Sequence, residues 1–191
     1  NSQRAFQRET NDNSSDGSQF LKSNNSKDAK SSSNPPIDET AIKRLRLQFK
    51  TPEGARRHLL LAFTPDNAAS DGFDYGYDAK VFDNNPNDML FIIDDEKYVI
   101  QGVGEFDVSK VYPVNLQLAI PGAIEISLDE LENFDSDIPV YVFDSVLNTY
   151  TQINDTNFVL TLDANNYNGQ VFIILDKEKR VTGFADIPTE L

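Results

Sequence analysis

The sequence has no cysteine, no tryptophan, one histidine and one methionine. Disulfide bonds and thiol chemistry are therefore excluded, and His58 is the only nitrogen or sulfur side chain of the kind that zinc prefers. No apolar run approaches the roughly 20 residues that a membrane-spanning helix needs. We therefore predict no membrane insertion and expect any bound metal ion to use oxygen ligands.

Motifs for nucleophilic catalysis or nucleotide binding are also missing. The sequence has no G-x-S-x-G turn, no phosphate-binding loop and no G-x-G-x-x-G. His58 lies inside the apolar stretch RHLLLAF, and we interpret it as a structural or surface residue. A carboxylate pair at the spacing that glycoside hydrolysis needs would not be evidence for that activity, because 31 acidic residues always provide some suitable pair. We predict that the chain is not an enzyme.

The formal net charge of −14 is distributed unevenly along the 191 residues. Residues 1–50 carry a net charge of +3, whereas residues 51–191 carry −17. An acidic domain repels phosphate backbones, so nucleic acid is excluded as a partner. The acidity suits either solubility alone or the binding of cations.

The chain divides into three parts by composition. Residues 1–40 are rich in Ser, Asn, Asp and Lys, and they predict a linker with two apolar islands, at Ala5-Phe6 and Phe20-Leu21. These islands are remnant strands, either docked on the main domain or left from a preceding module. Residues 41–176 predict the folded domain, and residues 177–191 predict a C-terminal tail.

The folded domain shows strand patterns almost throughout. KRLRLQFK (43–50) alternates polar and apolar residues, and RHLLLAF (57–63) suits a strand that is covered on both faces. One segment, 128–134, forms either about two helical turns or an acidic connection between strands. Asn168-Gly169 predicts a turn before the last strand. The remaining strands are predicted at 89–93, 98–103, 114–120, 123–128, 139–144, 149–153, 158–162 and 170–175.

About ten short strands with frequent turns predict an all-β fold. The expected architecture is a jelly-roll-like antiparallel β-sandwich, with an extended N-terminal segment.

The segment AASDGFDYGYDAKVFDNNPND (68–88) is the strongest candidate for a binding site. Its carboxylates repel one another unless water, a basic neighbour or a cation offsets them. Asp71, Asp74 and Asp78 are spaced three and four residues apart, with glycines between them that let the backbone turn. We therefore predict that these three residues bind Ca²⁺, which takes oxygen ligands. The alternative is a solvated loop in which aspartates cap turns.

The same segment carries alternating aromatic residues, Phe73, Tyr75 and Tyr77. An exposed row of such rings stacks on sugars or anchors a protein interface. Packing of the rings against the end of the sandwich is the other interpretation. We name these three residues as candidate ligand-binding residues, with polysaccharide as the candidate ligand.

Basic residues cluster near the start of the folded domain. If segments 43–50 and 57–63 pair, these side chains share one exposed face. They either neutralise neighbouring acids or bind an anionic partner such as a surface polysaccharide. The cluster comprises Lys43, Arg44, Arg46, Arg56 and Arg57.

Several phrases together form a pattern that resembles a known family. They are LRLQFKTPEGARRHLLLAFTPDNAASDGFDYGYDA (45–79), YVIQGVGEF (98–106), ISLDELENF (126–134), VYVFDSVLNTYTQI (140–153) and FVLTLDANNYNGQVFIIL (158–175). Residues 42–176 resemble the β-sandwich module near the C-termini of large secreted and surface proteins of Bacteroidota, ahead of a type IX secretion sorting domain. The opening NSQRAFQRETNDNSSDGSQFLKS resembles the last strands of a preceding module.

The resemblance implies an extracellular or cell-surface accessory module without catalytic residues. Its partners would be the type IX secretion machinery or other surface proteins. We therefore expect a structural spacer or adhesion module, with a carbohydrate-binding module and an export module as the alternatives. The residues after Leu175 are too few for a sorting domain, so we expect a fragment or a processed chain.

Overall fold

The computed structural model describes residues 41–177, and these residues form an all-β fold. Their only helical element is a short 3₁₀ turn at Pro65–Asn67, and they contain no helix of the length and apolarity that crossing a membrane requires. The strands are β1 Lys43–Lys50, β2 Arg56–Phe63, β3 Ala79–Lys80, β4 Asp88–Ile93, β5 Glu96–Val103, β6 Val111–Leu118, β7 Gly122–Glu132, β8 Tyr141–Asp144, β9 Thr149–Gln152, β10 Phe158–Leu162 and β11 Asn165–Ile174.

All of these strands belong to one nearly closed sheet. The order is β10-β7-β1-β2-β5-β4-β6-β11-β8-β9, and β3 pairs with β5. Neighbouring strands are antiparallel, except for the parallel pair β2–β5. The prediction of an all-β fold is confirmed, while the jelly-roll arrangement stays a prediction.

The core lies on the inner face of this sheet and follows the alternation of the strands. In β1, Leu45, Leu47 and Phe49 are fully buried, and they lie beside Leu61 and Leu59 of β2. The sequence predicts that β2 is covered on both faces, but only alternate residues of β2 are buried. The outward residues of β2 are half-buried or exposed, so β2 is fully covered on its inner face only.

Three local expectations differ from the structure. Residues 128–132 continue β7 as a strand instead of forming helical turns, because their backbone pairs with β1. Asn168-Gly169 lies inside β11, where the register with β6 shifts between Tyr167 and Val171. Gly169 has φ = +76°, a backbone conformation that is common in turns, but here the residue is part of a β-bulge. The two-residue strand β3 had not been predicted.

A two-residue turn at Asp94-Asp95 connects β4 to β5. Asp94 and Asp95 have φ values of 49° and 65°, which suits a tight hairpin. The predicted linker 1–40, with its two apolar islands, lies outside the described residues. The same holds for residues 178–191 of the predicted tail.

Candidate functional site

The segment between β2 and β4 that we call the aromatic loop (residues 68–87) includes the short strand β3 and contains the candidate site residues. It is anchored where it leaves β2, because the Thr64 hydroxyl donates to the Val103 carbonyl at 2.8 Å. The same hydroxyl oxygen accepts a hydrogen bond from the Ala69 amide at 2.9 Å. Ala69 is buried, so this end of the loop is fixed to β5 by polar and apolar contacts together.

Two of the predicted calcium ligands hold the backbone of the aromatic loop. Asp74 accepts hydrogen bonds from the Ser70 amide at 2.6 Å and the Ser70 hydroxyl at 2.7 Å. These bonds stabilise the carboxylate and lower the pKa of Asp74. Asp78 accepts from the Asp74 amide at 2.6 Å and, with its other oxygen, from the Gly102 amide of β5 at 2.7 Å. Asp78 therefore ties the loop to the sheet.

The third predicted calcium ligand has a cationic partner. Asp71 lies 2.6 Å from the Lys110 ammonium, in a largely exposed ion pair. Within residues 41–177, no group of three or more acidic or histidine side chains is arranged to hold a metal ion. The hydrogen bonds of Asp74 and Asp78 account for both carboxylates as turn-forming residues, which was the alternative interpretation. The Ca²⁺ site itself stays a prediction.

The aromatic side chains of the loop are presented to solvent. Tyr75 is 94% exposed, Phe73 50% and Tyr77 38%. The Phe73 ring rests on the buried Tyr98 with 5.9 Å between centroids, so one of its faces is covered. Tyr75 has no such support. The structure therefore brings the three predicted residues together in one loop, with Tyr75 standing out from the surface.

The sequence analysis did not select two further residues, one exposed within the aromatic loop and one buried beneath the loop. Phe82 is 97% exposed, although it was not among the predicted ligand-binding residues. Gly102 lies under the loop, where an added Cβ would come within 2.7 Å of the Tyr77 Cβ. An isolated glycine within a strand indicates a close approach of another chain segment, and this signal was present in the stretch QGVG.

Four of the five residues of the predicted basic cluster form ion pairs with acidic side chains, whereas Arg56 bonds to the neutral Gln48. Strands β1 and β2 do pair, as the prediction required. Arg44 and Arg46 both contact Glu132, which lowers the pKa of that carboxyl group, and Lys43 contacts Asp135. The interpretation that these residues neutralise neighbouring acids is confirmed for these pairs.

Arg57 anchors the far end of the aromatic loop. Its guanidinium donates to Asp88 at 2.6 and 2.8 Å and to Asp83 at 2.8 Å. Asp88 is buried, and its hydrogen bond raises the pKa of Arg57 above the usual range. Arg57 therefore clamps the loop onto β2 and β4.

His58 lies on an exposed part of β2, with Nδ1 at 3.0 Å from an Asp129 carboxylate oxygen. Asp129 borders a surface cavity of about 480 Å³ between β7 and the segments that flank β8 and β9. Its lining also includes Glu130, Asp137 and Asp155. The histidine thus takes part in an exposed polar pair, in agreement with its interpretation as a surface residue.

Comparison with curated proteins and with solved structures gave no match. Comparison with protein families gave one match, which extends over residues 1–175 and so includes every strand described above. Because the match spans most of the sequence, the chain belongs to the family described as Domain of unknown function (DUF8693).

Proposed function

We propose that this chain is a non-catalytic adhesion module whose ligand contacts come from the aromatic loop. The observation that carries the proposal is the exposure of Tyr75, Phe73, Tyr77 and Phe82 within one short segment. Single exposed apolar side chains are normal on a protein surface, but contiguous groups of them mark interaction sites.

The loop is preorganised for binding. Asp74 and Asp78 accept backbone and hydroxyl hydrogen bonds at each end of the aromatic row, and Arg57 holds the following segment. A ligand that meets a fixed loop does not have to supply the free energy of ordering it. The aspartates therefore support binding through the position of the rings.

Carbohydrate is the candidate ligand that the ring exposure favours. Sugars offer apolar ring faces for stacking and hydroxyl groups for hydrogen bonds, and tyrosine provides both kinds of contact. Asp71 and the exposed amides of Asn84 and Asn85 supply further polar groups along the loop. We infer a neutral or cationic polysaccharide, because the acidic domain disfavours an anionic one.

A glycan array followed by calorimetric titration tests this proposal. We expect Tyr75→Ala to weaken binding by about 1–3 kcal/mol, by analogy with the loss of one aromatic ring that stacks on a nucleic-acid base. Leu147→Ala is the matched control, because Leu147 is also exposed but lies in the β8–β9 turn. Unchanged affinity in the Tyr75 variant, or no glycan binding by the folded chain, would contradict the carbohydrate proposal.

We also propose that the module belongs to a secreted or surface protein exported by type IX secretion, with a jelly-roll arrangement of its strands. The support is the resemblance in residues 42–176. Deleting residues 41–176 from the parent protein distinguishes adhesion from an export role. Adhesion predicts normal export with impaired attachment, whereas an export module predicts retention inside the cell.

Calcium stays a proposal for the Asp71–Asp78 segment, and variants of Asp78 test it. The hydrogen bonds to the Asp74 and Gly102 amides give Asp78→Ala an expected cost of about 1–3 kcal/mol without any ion. Melting is measured in calcium and in EDTA, with Asp71→Ala as the comparison. Equal losses in both media would show that the hydrogen bonds account for the effect, and a larger loss in calcium would establish the ion.

A further inference from the structure

The strand β10 forms one end of the sheet. It pairs with β7 along one edge, and no other strand in the described part of the chain pairs with its second edge. In an antiparallel strand, the N–H and C=O groups of alternate residues point to opposite edges. The second edge of β10 therefore presents backbone donors and acceptors on which another strand can pair.

This edge lacks the features that usually prevent such pairing. The strand FVLTL has no charged residue and no proline, and Val159 is 61% exposed. Leu160 and Leu162 are only half-buried against the core. The strand β9 at the other end of the sheet is the polar sequence TYTQ, and Gln152 borders the acidic cavity. Of the two strands that end the described sheet, β10 therefore has the apolar edge without a charged residue or proline.

We propose that β10 of one chain pairs antiparallel with β10 of a second copy, about a two-fold axis at Leu160. In this register Phe158 lies opposite Leu162 of the second copy, and Val159 lies opposite its Thr161. The pairs match large apolar side chains with each other and β-branched side chains with each other, which favours strand pairing. The sequence of β10 is thus self-complementary, as a two-fold interface requires.

The flanking charges also permit this register. Asp163 falls opposite Asn157, and Asp155 falls opposite Asn165, so no carboxylate faces a carboxylate between residues 155 and 165. The two whole chains nevertheless repel each other, because each carries a net charge of −14. Added salt screens this repulsion. The dimer is therefore expected to become tighter as the NaCl concentration rises.

Analytical ultracentrifugation of residues 1–191 tests the dimer. A five-residue strand forms a small interface, so we expect a dissociation constant between about 1 µM and about 1 mM. Val159→Lys places a charge on the edge and should raise that constant about tenfold or more with little change in melting temperature. Val146→Lys is the control, since Val146 is 72% exposed in the β8–β9 turn.

Single cysteines test the register, because the chain has none of its own. A mixture of the Val159→Cys and Thr161→Cys variants should form the mixed disulfide faster than either variant forms its own dimer. The proposal is overturned if the chain stays monomeric over this concentration range, if Val159→Lys has no more effect than Val146→Lys, or if the three disulfides form equally fast.

Discussion

At the residue scale, Arg57 makes the clearest structural contribution outside the core. It lies beside Arg56, yet the two side chains occupy different surroundings. Arg56 is exposed and donates a hydrogen bond to Gln48, whereas Arg57 is largely covered and bonds to the buried Asp88. Two adjacent arginines therefore give a matched pair for measuring the effect of burial.

We predict that Arg57→Ala lowers the free energy of unfolding by about 3–5 kcal/mol, because it leaves the Asp88 carboxylate buried without its cation. Arg56→Ala should lower it by less than about 1 kcal/mol, as for an exposed polar contact. Urea denaturation measures both values. Similar losses in the two variants would contradict the structural role of the Arg57–Asp88 pair. Adding Asp88→Asn to the Arg57→Ala variant should restore part of its stability.

At the scale of elements, periodicity predicted the strands well because apolar alternation reports directly on a sheet with one buried face. It predicted β1 with its observed bounds, and the alternation of Val114, Leu116 and Leu118 matches their burial. Residues 129–132 were not predicted as a strand, because their acidic side chains are exposed or half-buried and give no clear polar–apolar alternation. Their place in β7 depends on pairing with the distant β1.

The turn signal at Asn168-Gly169 shows a related limit. A positive φ suits both a turn and a bulge, and the local sequence does not state which strands flank it.

At the candidate site, too, the local sequence predicts which residues matter but not what they contact. The aspartates and aromatic residues were predicted as candidates, but their hydrogen bonds to Ser70 and Gly102 depend on how the loop crosses β5. The exposure of Phe82 likewise depends on the fold, because the adjacent Val81 packs on the core.

The contact between the aromatic loop and β5 gives a prediction at this scale. Gly102→Ala places a Cβ within 2.7 Å of the Tyr77 Cβ and 3.3 Å of its carbonyl oxygen, so the loop must move away from the strand. We expect a lower melting temperature and weaker binding by the aromatic row. Gly72→Ala is the control, because its nearest contact is 3.7 Å and the residue needs no positive φ. Equal behaviour of the two variants in thermal melting would contradict the tight crossing.

At the scale of the whole molecule, acidic groups far outnumber basic ones, with 31 Asp and Glu against 17 Lys and Arg. The basic side chains are nevertheless placed beside carboxylates on several strands, as in the pairs of Arg46 with Glu132 and of Arg57 with Asp83. These partners lower the pKa of Glu132 and of Asp83. The folded state therefore binds protons less readily at these sites than the unfolded chain does.

This difference sets the direction of the pH dependence. A carboxyl group whose pKa is lowered by folding stabilises the folded state above its unfolded pKa, which is about 4. That stability is lost as the pH falls through the lower, folded pKa. We therefore expect these groups to leave the melting temperature unchanged between pH 7 and pH 5, and to lower it below about pH 4.

Arg46→Gln tests the contribution of one such pair within the acidic molecule. Removing the cation lets the pKa of Glu132 return towards its unfolded value. Between about pH 4 and pH 2.5, the melting temperature of the variant should therefore fall by less than that of the natural chain. Arg56→Gln serves as the control, because Arg56 bonds to the neutral Gln48 and should keep the natural acid profile. Parallel acid profiles for Arg46→Gln and the natural chain would show that Glu132 does not contribute. In that case, the acid dependence of this molecule would have to come from other carboxylates.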